Sequence, residues 1–279
     1  MVIPKQRRVN RRAVLNGLFY TLKSGCQWAL LPRSFPPKST VHYSVQQWTK
    51  KGIWVRINDA LRRRVRVEVE AREHVEATGG VIDTQSAKRS VAGGPERGFD
   101  GGKKVFGRKR HLRTDTLGLL VTTVVHSARL YDGVAAKQVL EATKARGITL
   151  KNVWADQTYR GELGSWMAEN GMGELEIVER LVGQQGFQVQ PKRWVVERTH
   201  AWLSGNRQLS RAYDHNPRHA ESWLYLASIR EILESLESLF LPWTRGNYST
   251  CLKAVSTQYG FEGAALRRSR PFYAMIKMN

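Results

Sequence analysis

The sequence predicts an α/β protein: a mixed five-stranded sheet flanked by helices, preceded by an all-helical, basic region. Three observations carry this. Apolar residues in the first quarter of the chain recur at helical spacing. From Gly79 onward, short apolar and β-branched runs alternate with helical stretches. Two of those short runs end in an aspartate, Val81-Ile82-Asp83 and Val153-Trp154-Ala155-Asp156. With 279 residues, 41% of them hydrophobic, the chain is long enough for one large domain or a domain with an appendage, and full disorder is excluded.

In the basic region, Val14, Leu15, Leu18, Phe19 and Leu22 mark a first helix, and Gly25 stands where a left-handed C-cap belongs. The prolines between Pro32 and Pro37 break the chain. Ser39 or Thr40 then caps a second helix through Trp48, and a third spans residues 53–76. This first part, 1–76, reads as one unit, either a helix-turn-helix-like reader or a plain helical cap with a solvated basic face. A Gly-rich stretch after Asp83 is a loop, and residues 103–113 alternate as a strand facing a polyanion. Residues 117–126 (LGLLVTTVVH) form a buried strand, and Asp132-Gly133 opens a helix to about Ala145. After Asp156 come a helix over 162–170, a strand over 175–178, a helix from about Trp194 that carries Glu197, and a long helix over 218–240. These elements make a second unit, 77–240, followed by a tail, 241–279.

Lys and Arg total 45 against 24 acids, a formal charge of +21, which points to a polyanionic partner and first to nucleic acid. Sixteen of those cations against three acids fall between Met1 and Arg72. The Arg62, Arg63, Arg64 run and the cations Lys103, Lys104, Arg108, Lys109 and Arg110 are the candidate DNA contacts, mostly to phosphate. Cys26 and Cys251 have no ligand spacing and read as reduced thiols of a soluble, cytoplasmic protein. No run is long and apolar enough for a membrane span, and no apolar signal core follows the first charges.

Asp83, Asp156 and Glu197 are the candidate catalytic and metal-ligating residues, separated by 73 and 41 positions. Two acids at strand ends and one on a nearby helix can converge on one rim of a sheet. Three convergent carboxylates repel one another without a cation, and hard oxygen ligands suit Mg²⁺ or Mn²⁺. Two such ions support in-line phosphoryl transfer. Each acid also has a local reading: Asp83 and Asp156 as turn or cap residues, Glu197 as an ion-pair partner of Arg193 or Arg198. Asp100 and Asp115 read as turn residues, Asp132 as a helix cap, and His200, one turn from Glu197, as a packed or exposed histidine.

Five blocks in order carry a resemblance: YTLKSGCQWALLPRSFPPKSTVHYSVQQW from Tyr20, VIDTQSAK from Val81, GFDGGKKVFGRKRHLRTDTLGLL from Gly98, VWADQTYRG from Val153 and RWVVERTHAWL from Arg193. The chain resembles the bacterial IS5-type insertion-sequence transposases of the DDE superfamily. The resemblance implies an RNase H-like catalytic domain behind a helical DNA-binding region. It also implies the acids Asp83, Asp156 and Glu197, Mg²⁺ or Mn²⁺, element-end and target DNA as partners, and at least a dimer in the synaptic complex. It assigns Arg193, four residues before Glu197, to substrate phosphate. Three departures stand beside it. An upstream helical segment of the family pattern is not represented. Gln190 and Ser204 occupy places that related families fill with a tyrosine and a basic residue, with Arg207 and Arg211 close by. The tail 241–279 matches nothing in the pattern and is expected to be poorly packed. The alternative is a non-catalytic DNA-binding protein derived from such an enzyme.

Overall fold

The computed structural model describes residues 9–68, 76–91, 93–179 and 194–240. Three helices come first: α1 (Arg11–Ser24), α2 (Lys38–Lys50) and α3 (Ile53–Glu68). Asn10 caps α1 by accepting from the N–H groups of Arg12 (3.0 Å) and Ala13 (3.3 Å). Gly25 closes it at φ 63°, its N–H reaching Thr21 O at 2.8 Å. The residue at the start of α2 is Pro37, which makes no side-chain cap, so Ser39 and Thr40 lie within the helix rather than before it. The expected end of the third helix runs into residues outside the described set, as do Arg193, Gln190, Cys251 and the tail 241–279.

The described residues then form β1 (Gly79–Lys88), β2 (Gly98–Asp100), β3 (Val105–Asp115), β4 (Leu120–Ser127), α4 (Asp132–Lys144) and β5 (Asn152–Ala155). They continue with α5 (Leu163–Glu169), β6 (Glu174–Ile177), α6 (Trp194–Ser204) and α7 (Pro217–Phe240). The fold is mixed α/β with a mixed sheet, ordered β6-β5-β1-β3 and completed by β4 and β2, which both pair with β3. Strands β1, β5 and β6 run parallel, while β3 is antiparallel to β1, β2 and β4. Sequence reasoning anticipated five strands and left β2 in a loop, since three residues of Gly-Phe-Asp carry no periodicity.

The sheet separates two apolar clusters. One side packs Ile82, Val153 and Ala155 against Ala136, Val139 and Leu140 of α4 and Leu163 and Met167 of α5. On the other side, Leu112 and Val125 share a core with Val14, Leu18 and Leu22 of α1, Leu61 of α3 and Trp223, Leu226 and Ile229 of α7. The N-terminal helices therefore share one core with α7 and this sheet face. No helix among the described residues is long and apolar enough to cross a membrane.

Candidate active site

Strand β1 sits between β3 and β5, and Asp83 lies at its middle rather than its end, because pairing with β3 continues to Lys88. Parallel pairing with β5 sets Gly79, Gly80 and Val81 opposite Asn152, Val153 and Trp154. Carried two residues further, that register sets Asp83 opposite Asp156, on strands about 4.8 Å apart. Side chains alternate along a strand, so both acids share the face of Val81 and Trp154, opposite to that of Ile82 and Ala155. β5 stops at Ala155, and Asp156 caps a following 3-10 turn over Gln157–Tyr159. Its Oδ1 accepts from the Thr158 N–H at 2.8 Å and from the Thr158 hydroxyl. The local reading of Asp156 as a cap is what the structure shows.

Helix α6 packs against β1 and β3 on this same face. His200 brings Nε2 within 3.2 Å of Asp83 Oδ2. Burial alone would raise the Asp83 pKa. The adjacent His200, the Thr84 N–H and the more distant charge of Lys103 outweigh it, so the carboxyl lies below its ordinary value and is ionised near neutrality. Glu197 is exposed on α6, one turn before His200, and so lies on a neighbouring part of the helix surface. Among the described residues, no three His, Cys, Asp or Glu side chains stand together as a metal cage. Asp83, anionic and mostly enclosed, is by its chemistry a hard oxygen donor of the kind that suits a divalent cation.

Two residues next to Glu197 pin its helix to the β3–β4 turn. Arg198 Nη2 donates to Leu117 O at 2.8 Å, and Thr199 Oγ1 donates to Gly118 O at 2.7 Å. The Arg198 guanidinium stands 4.4 Å from the Trp194 ring and 4.6 Å from the Trp202 ring, one turn to either side. Gly118 adopts φ 79°, and a Cβ there would meet Arg198 Nη2 at 3.0 Å and Thr199 Oγ1 at 3.1 Å. Glycine allows both the turn and the close approach.

Behind Asp83, on the opposite sheet face, Tyr159 and His111 are fully buried, with the Tyr159 hydroxyl 3.0 Å from His111 Nε2. Burial, then the charges of Asp83, Asp132 and Asp156, hold the Tyr159 hydroxyl well above its usual pKa. Burial, then the neighbouring His126 and Lys109, hold His111 well below its own. A neutral phenol thus shares a hydrogen bond with a neutral imidazole. Sequence reasoning missed this pair and the Arg198 clamp; the Trp-Arg-Trp repeat at four-residue spacing was the available signal for the clamp.

The basic residues divide. Arg108 is buried, and its guanidinium donates to the carbonyls of Glu96 (2.8 Å), Asp214 (2.7 Å) and His215 (2.8 Å). Lys109 is buried 2.7 Å from Asp132, and Arg110 is buried with Nη2 3.2 Å from Arg211 O. Burial lowers the Arg110 pKa to about 10, against the pull of Asp214. Arg62 is also enclosed, 2.6 Å from Glu76. These four are corrected from surface DNA candidates to internal residues, because their side chains are buried within the chain. Residues 108–115 of β3 face the interior on both sides rather than a polyanion. Asp132 likewise meets Lys109 within the first turn of α4, whose cap position is Tyr131. Lys103 and Lys104 are exposed, Arg63 is exposed and paired with Glu76, and Arg64 is half-buried.

Sequence comparison agrees with this architecture. Residues 3–58 match the family described as "Putative transposase of IS4/5 family", and residues 75–229 match the transposase DDE domain. A curated relative, the insertion element IS402 uncharacterized 16.2 kDa protein of Burkholderia cepacia, is 29% identical over 100 residues, covering 32% of this chain and 65% of the relative. The DDE match spans more than half of the chain and includes every strand and α4–α6. The chain belongs to the transposase DDE domain family.

Proposed function

We propose that this protein is an RNase H-like DDE transposase of the IS5 type, which cuts the terminal inverted repeats of its element and joins the freed 3′ ends to target DNA. One observation carries the reading: β1 and β5 are parallel neighbours whose register, continued past Ala155, brings Asp156 level with Asp83, and the helix bearing Glu197 packs against β1 with His200 at Asp83. The strand order, with β1 central and two parallel neighbours on one side, supports the RNase H-like assignment.

Asp83, Asp156 and Glu197 would hold Mg²⁺ or Mn²⁺. When bound, such ions stabilise charge on the entering and leaving oxygens of an in-line displacement at phosphorus. In cleavage, water forms the new P–O bond, the P–O3′ bond breaks, and a 3′-hydroxyl and a 5′-phosphate result. In joining, that 3′-hydroxyl attacks a target phosphodiester, one P–O bond replaces another, and no external energy source is needed. The sheet holds Asp83 and Asp156 on a rigid base. Arg198 and Thr199 hold α6 against the β3–β4 turn and so set the position of Glu197. Arg193 would hold phosphate near these acids. Residues 1–76 serve as the DNA-reading part, 77–240 as the catalytic part, and pairing of two ends requires at least a dimer.

The test is cleavage and joining of labelled element-end DNA in Mg²⁺ or Mn²⁺, with Asp156→Ala as the control and a pre-cut 3′ end supplied in parallel. The reading expects metal-dependent cut and joined products that vanish in the variant. Free cut ends without joined product would instead favour a nuclease. DNA that is bound but left uncut by both proteins would favour the non-catalytic DNA-binding alternative.

A further inference from the structure

Strands β2 and β3 form a hairpin in which Phe99 pairs directly with Phe106. The two residues are 56% and 42% exposed. Single exposed apolar side chains are ordinary on soluble proteins, but two rings opposed across a hairpin form one apolar step. Its surroundings are cationic. Arg89, Lys103 and Lys104 are exposed, and the Arg89 guanidinium stands 5.4 Å from the Phe106 ring. The nearby acid Asp100 is turned inward, its carboxylate accepting from Ser86 Oγ at 2.6 Å and from the N–H groups of Gly102 and Lys103 at 3.1 Å. Lys103 Nζ donates to Thr84 O at 2.9 Å and so ties the hairpin tip to the residue after Asp83. The step is therefore fixed relative to the candidate active site.

An apolar, π-faced step ringed by cations is complementary to a polymer of flat bases strung on phosphates. We propose that Phe99 and Phe106 stack on unpaired bases where the DNA end opens, while Arg89 and Lys104 contact the flanking phosphates. This rests on the transposase reading and adds a contact that selects opened DNA over closed duplex.

The experiment measures anisotropy of a fluorescein-labelled forked duplex and of a blunt duplex of the same sequence. The proteins are the full chain, the double variant Phe99→Ser/Phe106→Ser and the double variant Phe99→Tyr/Phe106→Tyr, each checked by thermal melting. The wild type is expected to bind the fork about tenfold more tightly than the blunt duplex. The serine variant should lose that preference while keeping the blunt-duplex affinity, and the tyrosine variant should retain it. A serine variant that keeps the preference, or a wild type without one, overturns the stacking role and leaves the transposase reading intact. A wild type that binds neither DNA overturns both.

Discussion

The run GGKKVFGRKRH splits into two regions with opposite fates. At the hairpin tip, Lys103 and Lys104 stand exposed beside Phe99 and Phe106. A few residues later, Arg108, Lys109 and Arg110 are enclosed, with carbonyls and Asp132 as partners. The sequence is equally basic in both. What differs is the supply of acceptors: α4 and the segment leading into α7 bring an acid and carbonyls over the second region, whereas among the described residues the first has Thr84 O against Lys103 Nζ. Net charge therefore overstates the DNA-facing surface, because part of it stitches the sheet to its surroundings.

The largest expected effect tests the interior half. Lys109→Met leaves Asp132 buried without its cation and should destabilise the fold by about 3–5 kcal/mol in denaturant melts. A variant that melts like the wild type would break the comparison. Next is the α6 clamp. Arg198→Lys keeps a charge but loses the planar stack and the fixed hydrogen bond to Leu117 O. Cleavage should slow by roughly 10- to 100-fold while DNA affinity stays within about twofold. Equal losses of binding and rate would show that Arg198 contacts DNA instead.

Glu221 sharpens the same contrast from the acidic side. It accepts from the Val125 N–H at 3.0 Å, and burial raises its pKa to about 7. The native state keeps this proton up to about pH 7, whereas the unfolded chain releases it near pH 4.5. The resulting penalty is absent below the lower value, grows between the two, and is complete above about pH 7. Glu221→Gln should therefore stabilise the protein by about 1–3 kcal/mol above pH 7 and hardly at all near pH 4.5. An equal effect at both would remove ionisation as its cause. The smallest effect belongs to the tip: Lys104→Ala should change stability by less than about 0.5 kcal/mol and lower the salt slope of DNA binding by about 1. An unchanged slope would take Lys104 out of the interface.

The parts legible in the sequence are those decided locally. Gly25 ends α1 because its left-handed φ is a property of one residue, and β5 is read from three apolar residues before Asp156. The long α7 follows from its length and spacing. β1 is read from Val81 and Ile82 before Asp83, although the strand extends well past that residue. What the sequence hid depends on distant partners. Arg108 meets Asp214 O across 106 positions, and no spacing rule near Arg108 announces that carbonyl. The His200 contact with Asp83 likewise requires α6 to be docked first. Strand β2 escaped because it is held by pairing with β3, not by its own pattern.

The central claim is that Asp83, Asp156 and Glu197 together hold the catalytic cation, and Mn²⁺ binding to the protein–DNA complex, followed by electron paramagnetic resonance, tests it most directly. Bound Mn²⁺ should be lost from Asp83→Asn, Asp156→Asn and Glu197→Gln alike, with each variant still binding DNA. Mn²⁺ bound undiminished to all three variants would contradict the account and place the metal, or the chemistry, elsewhere.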